Sequence, residues 1–411
     1  MNYDYCRIER GFLYVGSDEE YLKQRKEQAE RLSALFISMR EYPIKNNKIC
    51  FACYEGDGGF GCNPRYIAEE LHKRNPSLEM VWLTHDTSRP FPDYIQLVED
   101  TPENTAFHLS TARVWVDNYR KPYGTLKREG QLYIQTWHAT IGFKAVGLFR
   151  GDAFPKIARI VSEWDSSLAD YFLSNSKYCD DIYPKKLLYS GPTLRVGSPR
   201  VDTLINDRDK LHSIIRQELG LDQNVKLLLF APTFRSGSQQ GKREVTSETP
   251  QIDFDKLIAT IKERFGGEWK VLLRLHPTLA ARLDEMPLLK KDPRLIDVSH
   301  QPDISHILGG CEMLLTDYSS CAFDAAFAHI PVQLYADDVK DYIQSRGKFM
   351  WKKEDLPFDM AEDNDTLFDN IRNFDEQHYN SAVDAFMSQH EVIEDGHASE
   401  RVADVIEKYI M

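Results

Sequence analysis

Residues 312–337 read EMLLTDYSSCAFDAAFAHIPVQLYAD. An apolar run ends in four polar residues, a segment rich in small residues follows, and a second apolar run begins after Pro331. The pattern predicts a strand, a helix and a strand, and strands that alternate with helices build a parallel sheet. Ser319 and Ser320 stand at the expected helix start, where hydroxyls, free backbone N–H groups and the helix dipole favour an anion. A phosphate or pyrophosphate fits there. The plainer alternative is that one serine only caps the helix.

The same alternation extends upstream. "VKLLLFAPTF" (225–234), "WKVLLRLHP" (269–277) and "RLIDVS" (294–299) read as strands. "DFDKLIATIKERF" (253–265), "PLLKKDP" (287–293) and "DISHILGGC" (303–311) read as helical. An earlier series repeats the architecture with "KICFACY" (48–54), "LEMVWLTH" (78–85), "RVWVDN" (113–118), "LYIQTW" (132–137) and "DYFLSNS" (170–176) as strands. The expected fold is α/β: two Rossmann-like doubly wound domains facing across a cleft, the GT-B architecture. The N-terminal domain spans 1–200 with a leading helix at 18–40, and the C-terminal domain spans 201–411 with its last helix packing back on the first. The seam falls near 199–225, and the polar segment 236–251 reads as a loop within the second domain.

Composition bounds the function. The chain has 411 residues and a net charge of −13, which argues against nonspecific nucleic-acid binding. Between Arg113 and Arg159, however, nine Lys/Arg face three acids, a basic stretch suited to an anionic substrate or membrane surface. No run approaches the roughly 20 apolar residues of a membrane span. The N-terminus lacks a signal-peptide layout, so the expected location is cytoplasmic. Seven cysteines fit a reducing compartment, and Cys50 and Cys53 on a strand make a poor metal pair.

Polar residues gather at strand ends, where open α/β sheets bind ligands. His138 follows "LYIQTW" and suits a general base, or else caps a loop. Arg274 and His276 share one side of their strand, as do Thr233 and Arg235 if the extended conformation persists, and either pair could face one phosphate. The Gly-rich "EGDGGFG" (55–61), with Gly58 and Gly59, fits neither dinucleotide nor P-loop spacing and reads as an acceptor-side loop. "DFD" (253–255) resembles a D-x-D metal motif, but acids at a helix start also serve the dipole.

"QTWHAT", "GSPRVD", "LFAPTFR", "LLRLH", the block from Asp303 to Tyr335 and "EDGHASERVADVI" together resemble the CDP-glycerol glycerophosphotransferase family of teichoic-acid primases, polymerases and capsule enzymes. The resemblance runs over roughly 45–405 and is strongest after 185. It implies that the C-terminal domain holds CDP and that a polyol phosphate moves from CDP-polyol to a hydroxyl of a lipid-linked or polymeric glycan, releasing CMP. It implies His138 as base and His276 as its catalytic counterpart. Arg274, Thr233, Arg235, Thr316, Asp317, Ser319, Ser320, Gly197 and Arg200 fall on the donor side. Trp137, Thr140, Lys144, Gly58 and Gly59 fall on the acceptor side. No dedicated metal set is evident, though Mg²⁺ could accompany the pyrophosphate. A lipid-linked acceptor implies peripheral approach to the inner leaflet. Departures lie on the acceptor side: Ala139 replaces the family's glycine, Ile141-Gly142-Phe143-Lys144 replaces Pro-Leu-Lys, and the early loop is Gly-rich rather than Ser-rich. Open alternatives are a CDP-ribitol donor, a nucleotide-sugar glycosyltransferase, and a non-catalytic envelope-assembly partner.

Overall fold

The computed structural model describes residues 6–9, 12–15, 18–233, 251–275, 292–346 and 348–411. A hairpin of β1 (Cys6–Glu9) and β2 (Phe12–Val15) precedes α1 (Asp18–Ser38). The first series is β3 (Lys45–Ala52), α2 (Cys62–Arg74), β4 (Glu79–Thr84), β5 (Ile95–Glu99), α3 (Pro102–Thr111), β6 (Ala112–Asp117) and β7 (Leu132–Gln135). It continues through α4 (Lys156–Leu168), β8 (Tyr171–Ser174), α5 (Lys177–Lys186) and β9 (Thr193–Arg195). Helices α6 (Pro199–Asn206) and α7 (Arg208–Glu218) lead into β10 (Lys226–Ala231), α8 (Phe254–Phe265), β11 (Trp269–Leu273) and β12 (Leu295–Asp297). The second series closes with α9 (Ile304–Gly309), β13 (Met313–Thr316), α10 (Cys321–Phe327), β14 (Val332–Tyr335), α11 (Val339–Arg346) and β15 (Met360–Ala361). Three helices follow: α12 (Asn364–Arg372), α13 (Glu376–Gln389) and α14 (Ala398–Ile410).

Each series forms one parallel sheet, in the orders β5-β4-β3-β6-β7-β8-β9 and β12-β11-β10-β13-β14-β15. In both, the chain starts centrally, winds outward one way, then returns and winds the other way. The order reverses between β3 and β6 and between β10 and β13, and such a switch point opens a crevice at the strand carboxyl ends. The central strands are buried on both faces, which is why they read as continuous apolar runs rather than alternating ones. This is the GT-B arrangement.

The two units meet through packed side chains. Phe143, after β7, lies 4.9 Å from Phe323 of α10 and close to Phe349 and Phe358. The Phe143 carbonyl accepts from Met350 N–H at 2.8 Å, and Gly142 O accepts from Trp351 Nε1 at 3.1 Å. The departure Ile141-Gly142-Phe143 is therefore the stretch that docks onto the second unit. Helix α6, in the expected polar seam, instead buries Arg200, Val201, Asp202, Thr203 and Leu204. At the far end, Val402, Ala403 and Ile406 of α14 pack with Ile49, Phe51, Ile67 and Val114 of the first sheet's core. Arg74 fastens α14 through Asp404 (2.6 Å) and Glu407 (3.1 Å).

Some expectations shift. Strand β7 stops at Gln135 rather than Trp137, because Trp137 takes φ +52°. Residues 236–250 of the segment expected as a loop and 287–291 of the expected helical piece lie outside the described residues.

Candidate active site

The four residues of β7 are all buried between β6 and β8, so the segment that follows emerges at a fixed place. Gln135 Oε1 accepts from Trp137 N–H at 2.9 Å, and Asn63 Nδ2, from the start of α2, donates to Trp137 O at 3.0 Å. Behind the turn, Gln135 Nε2 donates to Tyr133 Oη (2.8 Å) and Asp165 Oδ2 (3.3 Å), and Tyr133 Oη donates to Asp165 Oδ1 (2.8 Å). Burial pushes Asp165 up to about 6, against the hydrogen bonds it accepts.

His138 is half-buried among aromatic rings: Trp137 at 4.6 Å, Tyr54 at 5.2 Å and Tyr119 at 5.6 Å. Its Nδ1 lies 2.9 Å from the Asn118 carbonyl oxygen. A carbonyl only accepts, so Nδ1 carries the hydrogen and the neutral ring presents a bare Nε2 lone pair. Burial pushes the imidazole down to about 3, and the charges of Arg200, Arg120 and Lys186 add to that shift while the Asn118 bond opposes it. The ring is thus a neutral proton acceptor in the tautomer a general base requires.

Two cations brace this turn. Lys186, buried at the end of α5, donates from Nζ to Ala139 O (2.7 Å) and to Thr140 O, and burial pushes it down to about 8. Arg200 donates to His138 O and pairs with Asp324 of α10 at 2.8 Å, while its backbone N–H meets Asn63 Oδ1 at 3.1 Å. One side chain therefore ties the His138 turn, α2 and the second unit together. Trp137 lies under the Arg120 guanidinium (4.7 Å) and stacks on Tyr119. Thr140 is buried, and Lys144 bridges Phe349 across the seam.

The opposite wall is the switch point of the second sheet. Thr316 Oγ1 donates to Ala231 O at 2.6 Å, and buried Asp317 accepts Thr233 N–H at 2.8 and 3.0 Å. These two residues lock the ends of β10 and β13 together. Ser319 and Ser320 are half-buried at the start of α10, and Ser320 makes no side-chain cap bond. A Cβ on Gly142 would lie 3.5 Å from Ser320 Cβ, so the turn after His138 reaches this element directly. Arg274 follows β11, donates to Gln301 O at 2.6 Å and is shifted down by burial. His276 and Arg235 lie outside the described residues.

Other sequence candidates take different places. A Cβ on Gly59 (φ +66°) would sit 3.3 Å from Pro302, and one on Gly61 3.1 Å from Pro302 O, so the Gly-rich loop brings the two units into contact. Gly58 packs on Cys53 and Tyr54. Gly197 (φ +95°) backs onto Ile393 O and Glu394. Asp253 of "DFD" caps α8 by accepting Lys256 N–H at 3.0 Å, and Asp255 pairs with Arg294. Among the described residues no group of three His, Cys, Asp or Glu side chains converges as a metal set.

Sequence reading passed over Asn118, Lys186 and the role of Asp324, and counted Arg120 only as one member of the basic stretch 113–159. Asn118 carried a signal, as the residue just past β6 at the switch point. The backbone carried none: Tyr54, Glu55, Cys62 and Trp137 all hold positive φ, a strain of about 1–3 kcal/mol each that no composition reveals.

Comparison with known proteins places this geometry. The chain is 30% identical over 399 residues to the teichoic acid poly(glycerol phosphate) polymerase of Staphylococcus epidermidis, covering 94% of this chain and 54% of that one. It is 28% identical to the teichoic acid glycerol-phosphate transferase of Staphylococcus aureus, covering 91% of this chain and 96% of that one. The chain spans about half the length of the polymerases of S. epidermidis and Bacillus subtilis. A solved structure of the wall teichoic acid polymerase TagF superposes with a TM-score of 0.79 at 26% identity, covering 95% of each chain. The model of the CDP-glycerol:poly(glycerophosphate) glycerophosphotransferase family matches residues 34–408, and the chain belongs to that family.

Proposed function

We propose that this protein transfers glycerol phosphate from CDP-glycerol to a hydroxyl of a polymeric or lipid-linked glycan, releasing CMP, in teichoic-acid-like surface-polymer synthesis. The observation that carries the reading is His138, with Nδ1 fixed on Asn118 O and Nε2 without a hydrogen-bond partner among the described residues, on a turn that reaches Ser320 of the opposite sheet.

In the reaction the acceptor oxygen attacks the phosphorus that bears the polyol, a new P–O bond forms, and the pyrophosphate P–O bond to CMP breaks. The acceptor proton passes to His138 Nε2. Such transfers rely on positioning and charge neutralisation. Ser319, Ser320 and Arg274 would hold the donor phosphates, and His276 and Arg235 are assigned to the same task from the sequence motifs alone. Thr233, Thr316 and Asp317 shape that wall, and Arg200 and Lys186 hold the base.

For location, we place the protein in the cytoplasm, peripheral to the inner leaflet. No helix among the described residues is long and apolar enough to cross a membrane. Leu148 is exposed beside Arg150, with exposed Lys156 and Arg159 on the following helix, a combination that suits an anionic lipid surface.

The test is CMP release from CDP-glycerol and CDP-ribitol by the wild type and His138→Ala over a panel of acceptors. Release that the variant loses, with donor binding retained, supports the reading, and the preferred donor names the polyol. No CMP from either donor, with binding of a nucleotide sugar, would overturn it.

A further inference from the structure

The Arg274 guanidinium is aimed by a turn of its own unit. Its Nη1 donates to Gln301 O at 2.6 Å, a backbone oxygen between β12 and α9. Gln301 N–H reaches Val298 O at 3.1 Å, and Pro302 next to it has no N–H to give. Asp303 Oδ1 accepts Ser305 N–H at 3.2 Å and so caps α9, while Oδ2 faces the first unit.

Helix α2 supplies what meets that oxygen. Tyr66 donates from Oη to Asp303 Oδ2 at 2.5 Å, and Arg65 Nη1 lies 3.3 Å from the same atom. Tyr66 is 8% exposed and Asp303 3%, and a hydrogen bond to a carboxylate so withdrawn from water is among the stronger ones. Burial and the Asp303 charge push the Tyr66 phenol up, so it stays a donor. The Gly-rich loop presses on the same turn at Pro302. Asp303 stands two residues from Gln301 in a chain whose Cα atoms are about 3.8 Å apart, so a displacement of the first is passed to the second. Asn63 on the same helix holds the Trp137 carbonyl. One helix of the first unit thus reaches both the His138 turn and the Arg274 turn.

We infer that Tyr66 is a positioning residue for the donor: by holding Asp303 it fixes the Gln301–Asp303 turn and, through Gln301 O, the guanidinium of Arg274, so that a residue of the first unit sets the affinity for a pyrophosphate held by the second. The inference rests on the assignment of Arg274 to the donor phosphates under the proposed function. If the Tyr66–Asp303 bond served only to join the units, its loss would lower stability and leave pyrophosphate affinity untouched.

The test uses the full chain as wild type, Tyr66→Phe, Arg274→Met and the double variant. Calorimetric titration with inorganic pyrophosphate is the readout, a probe that assumes neither the nucleotide nor the polyol. Tyr66→Phe deletes one oxygen and keeps the ring. The bond lost is one to an ionised group, and a rise of about tenfold in Kd is expected. In the Arg274→Met background the same substitution should change Kd by less than about twofold, because the group it positions is gone. Arg65→Met, which leaves Tyr66 in place, should raise Kd by a smaller factor than Tyr66→Phe. Kinetics read the same split: Tyr66→Phe raises the KM for CDP-glycerol while the KM for the acceptor stays within about twofold. A lower melting temperature with unchanged Kd, or equal factors in both backgrounds, would overturn the inference and leave Tyr66 a joint between units. Absence of pyrophosphate binding by the wild type would remove the task of Arg274 and reject it as well. CMP release judges the transfer separately: the expected Kd pattern without CMP release keeps the positioning and discards the transfer.

Discussion

Breaking the Arg200–Asp324 pair tests how firmly the two units are joined. Both side chains are about 95% buried: Arg200 is 5% exposed and Asp324 4%. Burial pushes the Asp324 carboxyl up, and Arg200 works against that shift. Asp324→Asn leaves a buried guanidinium with His138 O and the Cys62 sulfur but no counter-charge. Removing one partner of such a pair costs about 3–5 kcal/mol, whereas replacing both by apolar groups is far milder. Arg200→Met keeps the backbone N–H to Asn63 Oδ1, so the cycle isolates the side chain. We expect Asp324→Asn and Arg200→Met each to destabilise by about 3 kcal/mol and the double variant by little more than either, a coupling of about 3 kcal/mol. Denaturant unfolding followed by tryptophan fluorescence measures it. Additivity within about 0.5 kcal/mol would show that the pair is not a joint between units, and the account of Arg200 would fall with it. CMP release should drop in Arg200→Met beyond what stability explains, because the same guanidinium holds the carbonyl of His138.

Three further outcomes follow from the geometry. With the imidazole of the free protein near 3, kcat/KM for the acceptor should stay flat from pH 7 to about pH 5, while kcat, with donor phosphates bound, shows its acid limb at higher pH; a kcat/KM limb near 6.5 would mean a solvated ring. Lys186→Met removes the donor from two carbonyls of the His138 turn and should lower kcat by about 10- to 100-fold with the KM for CDP-glycerol unchanged; a change confined to that KM would refute its assigned place. Glu394, accepting from Asn175 Nδ2 and Ser198 N–H, is pushed up to about 8 by burial. A carboxyl held above its unfolded value contributes most at low pH and loses that contribution as pH rises through the folded value. Glu394→Ala should therefore lower the melting temperature more at pH 5.5 than at pH 8.5, and equal losses would contradict the assignment.

The fold was legible where burial leaves a periodic trace. Strand β13 and helix α10 read clearly because an apolar run and a small-residue helix have few other solutions. His138 was legible for a related reason: a buried strand such as β7 has to end, and its carboxyl end is where the cleft lies. What escaped were contacts with no local signature. Lys186 lies at the end of a helix and reaches the His138 turn only through the folding of α5 onto it. Arg200 and Asp324 sit far apart in the chain, and their pairing exists only once both units have formed. The Gly-rich loop announced a close approach, but not that the approaching group would be Pro302. Asp317 was read as a phosphate neighbour, whereas its oxygens hold the Thr233 N–H. Where an acid faces a backbone amide, composition does not distinguish scaffold from site.

Helix α14 carries a consequence for synthesis. The core built on Ile49, Phe51 and Val114 is completed by Val402, Ala403 and Ile406, and the whole second sheet is translated in between. At ribosomal rates of 5–20 residues per second, the stretch from Arg195 to Val402 takes roughly 10 to 40 s. Throughout that interval α2 covers only part of that apolar face, and Arg74 lacks Asp404 and Glu407. Nascent chains would spend that time exposed to holding chaperones, and a lesion in the last helix would be felt as a folding defect in the unit made first.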